Sequence, residues 1–307
     1  MDIRNIQTFI RAAELGSFTK VAEERQYVQS TVSMQIQQLE RELGYPLFDR
    51  IGKRVSLTAL GAEFLNYAYK ITQAMQEATS INKKAEDMCG TLRVGILESL
   101  LFAHMLELLP KFKSTYPNLS LQLKIGQTKE LLDQLKENRL DMVYLSAGLN
   151  TDSDLQCHYK RREQLIFVCS PNHPAAKRKN IPVSELFSYD FVVTEHSGIC
   201  YGRLQKLAAQ HNRCLHASIE VDSTIAIASL IQTNMALAFL PKYSVQKLLD
   251  EKCLTELDVD LEPQIYYSQI LSHKQRWVSP FMETLIAQIK MICPENRCIQ
   301  QDTIVCE

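Results

Sequence analysis

A row of hydrogen-bonding side chains near the start of the chain has the types and spacing to contact base edges. Ser30, Ser33 and Gln37 recur at intervals of three and four residues, and Gln29 precedes Ser33 by four, which is the spacing of one helix face. Amide and hydroxyl groups of this kind pair with bases in the major groove of DNA. The alternative is the solvated face of a small helical protein-interaction domain, because most polar helix faces only contact water.

Three short helices are predicted to position this row. The first ends at Gly16, and the second starts at Ser17 or Thr19, either of which can cap it, and runs to about Arg25. The third spans roughly 29–43, and its apolar stripe consists of Val32, Ile36, Leu39 and Leu43. Two helices joined by a tight turn, with the second polar on its outer face, are typical of a helix-turn-helix.

A basic hairpin is predicted directly after the third helix. Residues 47–57 favour two short strands with Gly52 in the turn, and Arg50, Lys53 and Arg54 cluster at its tip. Such a wing can lie on phosphates. Residues 1–60 hold only one more basic than acidic residue, so the DNA interpretation depends on the motif rather than on the charge.

A long helix is predicted over residues 58–88. Its apolar seam is close to a coiled-coil repeat and consists of Leu60, Phe64, Ala68, Ile71, Met75, Ala78, Ile81 and Ala85. The alternative is a helix that packs on the core of its own domain.

Strands alternate with helices beyond Gly90. Strands are predicted at 92–96, 119–125 and 142–145, with helices at about 99–116 and 128–138. This alternation predicts a parallel α/β sheet. Ligands of such sheets bind at the carboxyl ends of the strands. The candidate ligand contacts there are Ser99, Gln127, Thr128 and Ser146, although helix capping alone explains Ser99 and Thr128.

Composition sets the outer bounds. The 307 residues suggest two or three folding units of ordinary globular composition, and the net charge of −1 shows no basic excess. The start resembles no signal peptide, and we find no apolar run long enough to span a bilayer. We therefore expect a cytoplasmic protein whose nine cysteines are reduced.

Enzyme and metal chemistry find little support. No nucleophile elbow, phosphate-binding glycine loop or HExxH motif occurs. His211, Cys214 and His216 lie close in sequence but lack the paired spacing of a zinc site. We expect no catalytic residues, no metal and no cofactor. A transport binding protein would fit the part after Gly90 but would need export and would not carry the N-terminal motif.

The order of these motifs resembles the DNA-binding domain of LysR-type transcriptional regulators. The matching stretches are AELGSFT at 13–19, QSTVSMQIQQLE at 29–40, LG at 43–44, LFDR at 47–50 and LTALG at 57–61. A looser resemblance continues to about residue 292 and includes GTLRVG at 90–95 and FLP at 239–241.

The resemblance implies an overall α/β protein with an N-terminal winged helix-turn-helix, a linker helix and an effector domain of two α/β subdomains similar to periplasmic binding proteins. The implied bounds are 1–57 for the DNA-binding domain, 58–89 for the dimerising linker helix, 90–293 for the effector domain and 294–307 for a polar tail. Subdomain I covers about 90–160 and 268–293, and subdomain II about 161–267. The chain crosses near 159–161 and returns near 264–268.

The resemblance also implies DNA contacts from Thr19, Gln29, Ser30, Thr31, Ser33, Met34, Gln37, Arg50, Lys53 and Arg54. Two positions depart from the family pattern. Val28 stands where the family usually has the serine that opens the recognition helix, so Ser30 or Thr31 could move the helix start. Met34 stands where an arginine is common, which suggests an altered site preference or weaker affinity.

The effector cleft implied by the resemblance lies between the two subdomains. Its contacts in subdomain II would come from His196, Ser197, Cys200, Arg203, Ser223 and Thr224. Glu98 at the cleft mouth would favour a cationic or amine-bearing effector, unless it is a solvated surface acid. Arg203 could counter Glu98 or bind a carboxylate.

Cys200 supports an alternative function as a thiol-based redox switch. A predicted helix start and the nearby Arg203 would lower the pKa of its thiol. Peroxide sensors of the family place a reactive cysteine in this loop with a resolving cysteine soon after. Here the next cysteine is Cys214, beyond a helical stretch.

The expected partners follow from the resemblance. They are double-stranded DNA with a pseudo-palindromic promoter site, a small-molecule effector and further copies of the chain in a dimer of dimers, that is, a homotetramer. RNA polymerase is a further candidate partner, and no membrane is expected.

Overall fold

The computed structural model describes residues 1–51, 54–80, 88–194 and 198–294. The chain divides into two compact units, one formed mainly by residues 1–90 and the other by residues from 91 onward. Across the described ranges, no helix is both long and apolar enough to cross a membrane.

The first unit begins with α1 (Ile3–Leu15), α2 (Phe18–Arg25) and α3 (Gln29–Leu43). Gly16 ends α1 in a left-handed conformation with a φ of 58°. Ser17 rather than Thr19 caps α2, because its side chain accepts a hydrogen bond from Lys20 N. The predicted helix-turn-helix is confirmed.

The start of α3 has no side-chain cap. Val28 occupies the N-cap position and makes no capping hydrogen bond. The idea that Ser30 or Thr31 moves the helix start is therefore wrong, because both lie inside the helix. The missing hydroxyl leaves a helix N–H without the side-chain acceptor that a serine would supply.

A hairpin and a long helix complete the first unit. The antiparallel strands β1 (Phe48–Ile51) and β2 (Arg54–Leu57) form the predicted wing, and α4 (Ala59–Ser80) follows. The turn residues Gly52 and Lys53 lie outside the described part.

The predicted seam of α4 is buried along part of the helix and exposed along the rest. Phe64 and Ala68 are buried in the core of the first unit, whereas Leu60 and Met75 are exposed. Tyr67, which the predicted seam did not include, is also exposed. The seam is thus a core stripe over only part of its length: Phe64 and Ala68 pack in the core beside α1, whereas Met75, on the same helix face, lies beyond that core. Ile81 and Ala85 lie outside the described residues.

Aromatic rings form the centre of this core. Phe9 lies between Phe48 and Phe64, with ring centroids 5.4 and 5.2 Å away. The stripe of α3 packs against them, with Val32, Ile36 and Leu39 fully buried. Burial of this stripe turns the polar face of α3 outward.

The second unit is a mixed α/β structure. Its first half contains β3 (Gly90–Ile96), α5 (Glu98–Leu100), α6 (Leu109–Thr115), β4 (Leu119–Ile125), α7 (Thr128–Lys136) and β5 (Met142–Ala147). β3 and β5 pair in parallel, as predicted. The single helix predicted over 99–116 is wrong, because a π-helical turn (Leu101–Met105) separates α5 from α6. Pro110, in the first turn of α6, lacks the N–H that would continue a helix from residue 106.

Two long antiparallel strands connect the halves. β6 (Leu155–Cys169) pairs along its length with the last strand, β13 (Gln264–His273). The second half contains β7 (Ile181–Pro182), α8 (Val183–Leu186), β8 (Phe191–Val193), α9 (Ile199–Gln210), β9 (Ala217–Glu220), α10 (Thr224–Ile231), β10 (Ala238–Pro241), α11 (Lys242–Asp250), β11 (Thr255–Glu256) and β12 (Val259–Asp260), and α12 (Pro280–Ile292) follows β13. The main sheet order is β10-β6-β13-β5-β3-β4, with β11 also on β6. Antiparallel β6 and β13 make the sheet mixed rather than purely parallel.

Candidate nucleic-acid interface and ligand cleft

The outward face of α3 presents the predicted polar row. Gln29, Ser30 and Gln37 are exposed, and Ser33 is half-buried between them. Met34 lies on the same face and is 57% exposed. Hydroxyl, amide and thioether groups therefore face solvent along more than two turns of one helix, as base-edge contacts require.

Other polar residues of α3 are used inside the unit. Gln35 accepts a hydrogen bond of 2.8 Å from Thr8 Oγ1, and Arg25 Nη1 donates to the same hydroxyl at 3.3 Å. Gln38 donates to Glu42 at 3.3 Å. Gln35 therefore connects α3 to α1, whereas Gln38 is bonded within its own helix.

Glu40 sets the position of the wing relative to α3. Its carboxylate accepts hydrogen bonds from Leu47 N at 2.8 Å and Phe48 N at 3.3 Å. Arg50 and Arg54 lie on the two strands, where Arg50 pairs with Val55 in register. The wing and the recognition helix are therefore held by one side chain at the start of the hairpin.

The remaining predicted DNA contacts are placed as follows. Thr19 is exposed in the first turn of α2, and Thr31 is half-buried in the first turn of α3. Lys53 lies outside the described residues. Within the described part of the first unit, the predicted contacts thus lie on the start of α2, on α3 and on the wing strands.

In the second unit, the hydroxyl of Tyr243 joins the two subdomains. It lies 3.0 Å from Ser99 Oγ and 3.1 Å from Ser146 Oγ. Both serines are buried and belong to subdomain I, whereas Tyr243 stands at the start of α11 in subdomain II. The structure thus brings together two of the four predicted ligand positions at the junction between the subdomains, which we call the cleft.

Glu98 makes the second connection across the cleft. Its Oε1 accepts from Ser223 Oγ at 3.0 Å, and its Oε2 accepts from Thr224 N at 3.1 Å. Ser223 caps α10 by accepting from Ala226 N. The interpretation of Glu98 as a solvated surface acid is therefore wrong, and both its carboxylate oxygens are engaged by donors of the other subdomain.

Sequence reasoning missed several buried polar residues of the second unit. Tyr243 follows β10 and Tyr266 lies on β13 opposite Glu163. The Tyr266 hydroxyl and Thr194 Oγ1 are buried and make no hydrogen bond with the residues the structure describes. Tyr243 and Thr194 each follow the carboxyl end of a strand. The sequence analysis used this signal to choose Ser99 and Ser146, and the same signal would have found these two residues.

Glu163 is a buried acid on the crossing strands. Ser268 Oγ donates to it at 2.7 Å, and Arg161 Nε lies 3.8 Å away. Burial raises the pKa of the Glu163 carboxyl, against the effects of Ser268 and Arg161. Burial also raises the pKa of Tyr243 to about 12, so this phenol stays protonated at neutral pH.

Cys200 does not have the environment of a reactive thiol. It is 8% exposed, and burial raises its pKa to about 12, with Arg203 only partly opposing the shift. The prediction of a lowered pKa was wrong because desolvation outweighs the helix start and Arg203.

The other predicted effector contacts converge less closely. Gln127 is exposed, and Thr128 and Arg203 are half-buried. His196 and Ser197 lie outside the described residues. Among the described residues, no group of three or more His, Cys, Asp or Glu side chains could hold a metal ion.

Comparison with known proteins gives two family matches. Residues 3–62 match the model of the bacterial regulatory helix-turn-helix protein, lysR family, and residues 85–293 match the LysR substrate binding domain. The HTH-type transcriptional regulator YwqM of Bacillus subtilis is 27% identical over 93% of this chain and 97% of its own length. The transcriptional activator CmpR of Synechocystis sp. is 25% identical over 92% of this chain and 93% of its own length. A structure of a full-length OxyR variant from Pseudomonas aeruginosa superposes with a TM-score of 0.73, at 18% identity and 95% coverage of both chains.

Proposed function

Since the chain belongs to the LysR family of transcriptional regulators, and is thus a regulator rather than an enzyme, we propose that its α3 face binds a pseudo-palindromic promoter site. The base contacts come from Gln29, Ser30, Ser33 and Gln37. The observation that supports them is that Gln29, Ser30 and Gln37 are exposed and Ser33 is half-buried on a helix whose opposite stripe is fully buried.

Further contacts complete the proposed interface. Thr19 and Thr31 approach the sugar-phosphate backbone at the helix starts, and Met34 contacts a base edge. Arg50, Lys53 and Arg54 bind phosphates beside the major groove, which fixes the register of α3 without reading sequence.

Substitution of Ser33 tests the DNA interface. Ser33→Glu places an acid against the bases and should abolish specific binding while leaving the melting temperature unchanged. Gln7→Glu is the matched control, because it adds the same charge to an exposed position of α1 that bears no proposed contact. Equal operator affinity of Ser33→Glu and the wild type in a fluorescence anisotropy titration would reject the assignment.

The proposed effector is a small molecule bound in the cleft of the second unit. Its contacts are drawn from Glu98, Ser99, Gln127, Thr128, Ser146, His196, Ser197, Cys200, Arg203, Ser223 and Thr224, with Tyr243 added. The bonds from Tyr243 to Ser99 and Ser146 support this choice, because a ligand between the subdomains must exchange with them. Binding then changes the orientation of the subdomains and the spacing of the DNA-binding heads.

A thermal-shift screen of metabolites tests the cleft. A hit should stabilise the wild type and lose at least tenfold in affinity in Tyr243→Phe. The control is Tyr267→Phe, because Tyr267 precedes Ser268 on β13 and lies on the opposite face of the strand from Tyr266. Equal loss in both variants would place the binding site elsewhere.

Self-association is proposed through α4. Leu60, Tyr67 and Met75 are exposed at helical spacing, and such an apolar stripe on a long helix is typical of a helical dimer interface. Each dimer places its two recognition helices on a pseudo-palindromic site, one on each half, and two such dimers form the proposed homotetramer. Contact with RNA polymerase is the remaining proposed partnership.

A further inference from the structure

The N-terminus of α10 is occupied by a carboxylate from the other subdomain. Glu98 follows β3 in subdomain I, whereas Ser223 and Thr224 open α10 in subdomain II. The Glu98 oxygens accept one hydrogen bond from a side chain and one from the backbone, at 3.0 and 3.1 Å. This is the arrangement that an anionic ligand adopts at a helix N-terminus.

The sequence of α10 leaves this place open to an anion. The first turn of α10 contains no acidic residue of its own. The Ser223 hydroxyl accepts from Ala226 N and donates to Glu98, so it serves as the cap and as a ligand donor at once. Glu98 therefore supplies the negative charge that the helix dipole favours and that α10 lacks.

A neighbouring contact holds the same edge of the cleft. Ser99, the next residue along the chain, lies 3.0 Å from the Tyr243 hydroxyl. Two consecutive residues of subdomain I thus bind two different helices of subdomain II. Of these two contacts between the subdomains, the contact of Glu98 with α10 is the charged one.

We propose that Glu98 is a specificity-determining residue, an intramolecular carboxylate that fills the anion-binding end of α10 and excludes effector carboxylates from it. The effector that this cleft recognises presents no carboxylate to α10. The occupancy of α10 by Glu98 stands on the structure, and its consequence for the effector rests on the proposed function of the cleft.

Acetate can replace the missing carboxylate when Glu98 is shortened. The full chain carrying Glu98→Ala should melt ~2–4 °C below the wild type, the shift that the loss of a typical cap contact produces in a domain of this size. Replacing 100 mM potassium chloride by 100 mM potassium acetate should raise the melting temperature of Glu98→Ala. The wild type should not respond, because its own carboxylate fills the place.

Three further variants make the result specific. Glu98→Ser repeats the test with a polar side chain in case Glu98→Ala folds poorly. Glu98→Ala combined with Ser223→Ala should lose most of the acetate response. Glu262→Ala removes an exposed acid of subdomain II and should behave as the wild type.

An acetate response that is the same in the wild type, Glu98→Ala and Glu98→Ser would overturn the proposal. So would a response of undiminished size in the combined variant. Because acetate is the probe, the outcome does not depend on whether the effector binds in the cleft. Failure of the metabolite screen with a positive acetate result would reject the proposed effector site and leave the role of Glu98 at α10 intact.

Discussion

Met34 is the residue of the recognition helix whose role differs most from the polar row around it. Its side chain is 57% exposed on the outward face of α3, and Val28 at the helix start is 67% exposed. Exposed apolar groups on a DNA-facing helix match the C5-methyl group of thymine, the only apolar feature of the major-groove code. We therefore expect Met34 to change the preferred base instead of simply removing a contact.

Deoxyuridine substitution measures this contact. Replacing one operator thymine by deoxyuridine removes only the methyl group and should weaken wild-type binding about fourfold, the value of one buried methyl at about 0.8 kcal/mol. Met34→Ala should show no such loss at the same position, and an equal loss in both proteins would contradict the role given to Met34.

His104 makes the stability of the second unit dependent on pH. The ring is buried, with Nδ1 2.9 Å from the Tyr144 hydroxyl, and burial lowers its pKa to about 4. The unfolded chain binds this proton near pH 6.5, so unfolding takes up a proton as the pH falls below that value. The contribution of His104 is therefore complete above pH 6.5 and lost as the pH falls toward 4.

Denaturant unfolding at several pH values tests this linkage. Between pH 6.5 and 4, the wild type should lose up to about 3 kcal/mol more of its free energy of unfolding than His104→Gln loses. His211→Gln is the control, because His211 is exposed at the end of α9. A parallel pH profile for the wild type and His104→Gln would contradict the account.

The sequence predicted individual site residues where they lie on short local elements. Ser30, Ser33 and Gln37 could be placed because a three-helix pattern fixes which face is buried. Tyr243 could not, because its partners Ser99 and Ser146 lie 144 and 97 residues away in the chain. Burial of Cys200 was likewise invisible, since it depends on side chains of several distant elements.

Among the elements, α4 depends on a glycine for its close approach to the wing. A Cβ added at Gly61 would collide with the backbone oxygen of Leu47. The hydroxyl of Thr58, which accepts from Gly61 N at 2.8 Å and donates to Pro46 O at 2.9 Å, fixes the same junction. The wing cannot move away freely, because Glu40 binds the Leu47 amide.

Gly61→Ala should therefore destabilise the first unit by about 1–3 kcal/mol through overpacking. Gly202→Ala offers the opposite case, because a Cβ on that glycine of α9 meets nothing within 4 Å. It should stabilise by about 0.5–1 kcal/mol through helix propensity. Chemical denaturation of both variants checks the pair, and a Gly61→Ala protein as stable as the wild type would refute the close approach.

Helices and strands with strong local signals could be predicted from the sequence. The break within the predicted 99–116 helix and the partial burial of α4 could not. The bounds of α1, α3 and β4 follow from periodicity and end signals. The break at 101–108 depends on Pro110 and on a π-helical turn that no period of the sequence announces. Which residues of α4 are buried and which are exposed depends on where the core of the first unit ends, and this is a tertiary property.

For the whole molecule, the exposed stripe of α4 predicts the oligomeric state. Tyr67→Glu should lower the oligomeric state, for example from tetramer to dimer, because it places a charge in an apolar interface. Light scattering coupled to size-exclusion chromatography measures the molar mass. Ala62→Glu adds the same charge to the other face of α4 and should leave the mass unchanged. Equal masses for the two variants and the wild type would move the interface away from α4.

Selection of sheared genomic DNA on the purified protein, sequenced at two salt concentrations, tests the central claim most directly. Phosphate contacts weaken steeply with salt, whereas base contacts keep their discrimination. We predict enrichment of one pseudo-palindromic sequence that survives the higher salt concentration. Binding without a common sequence, or binding lost uniformly as salt rises, would contradict sequence-specific recognition by α3.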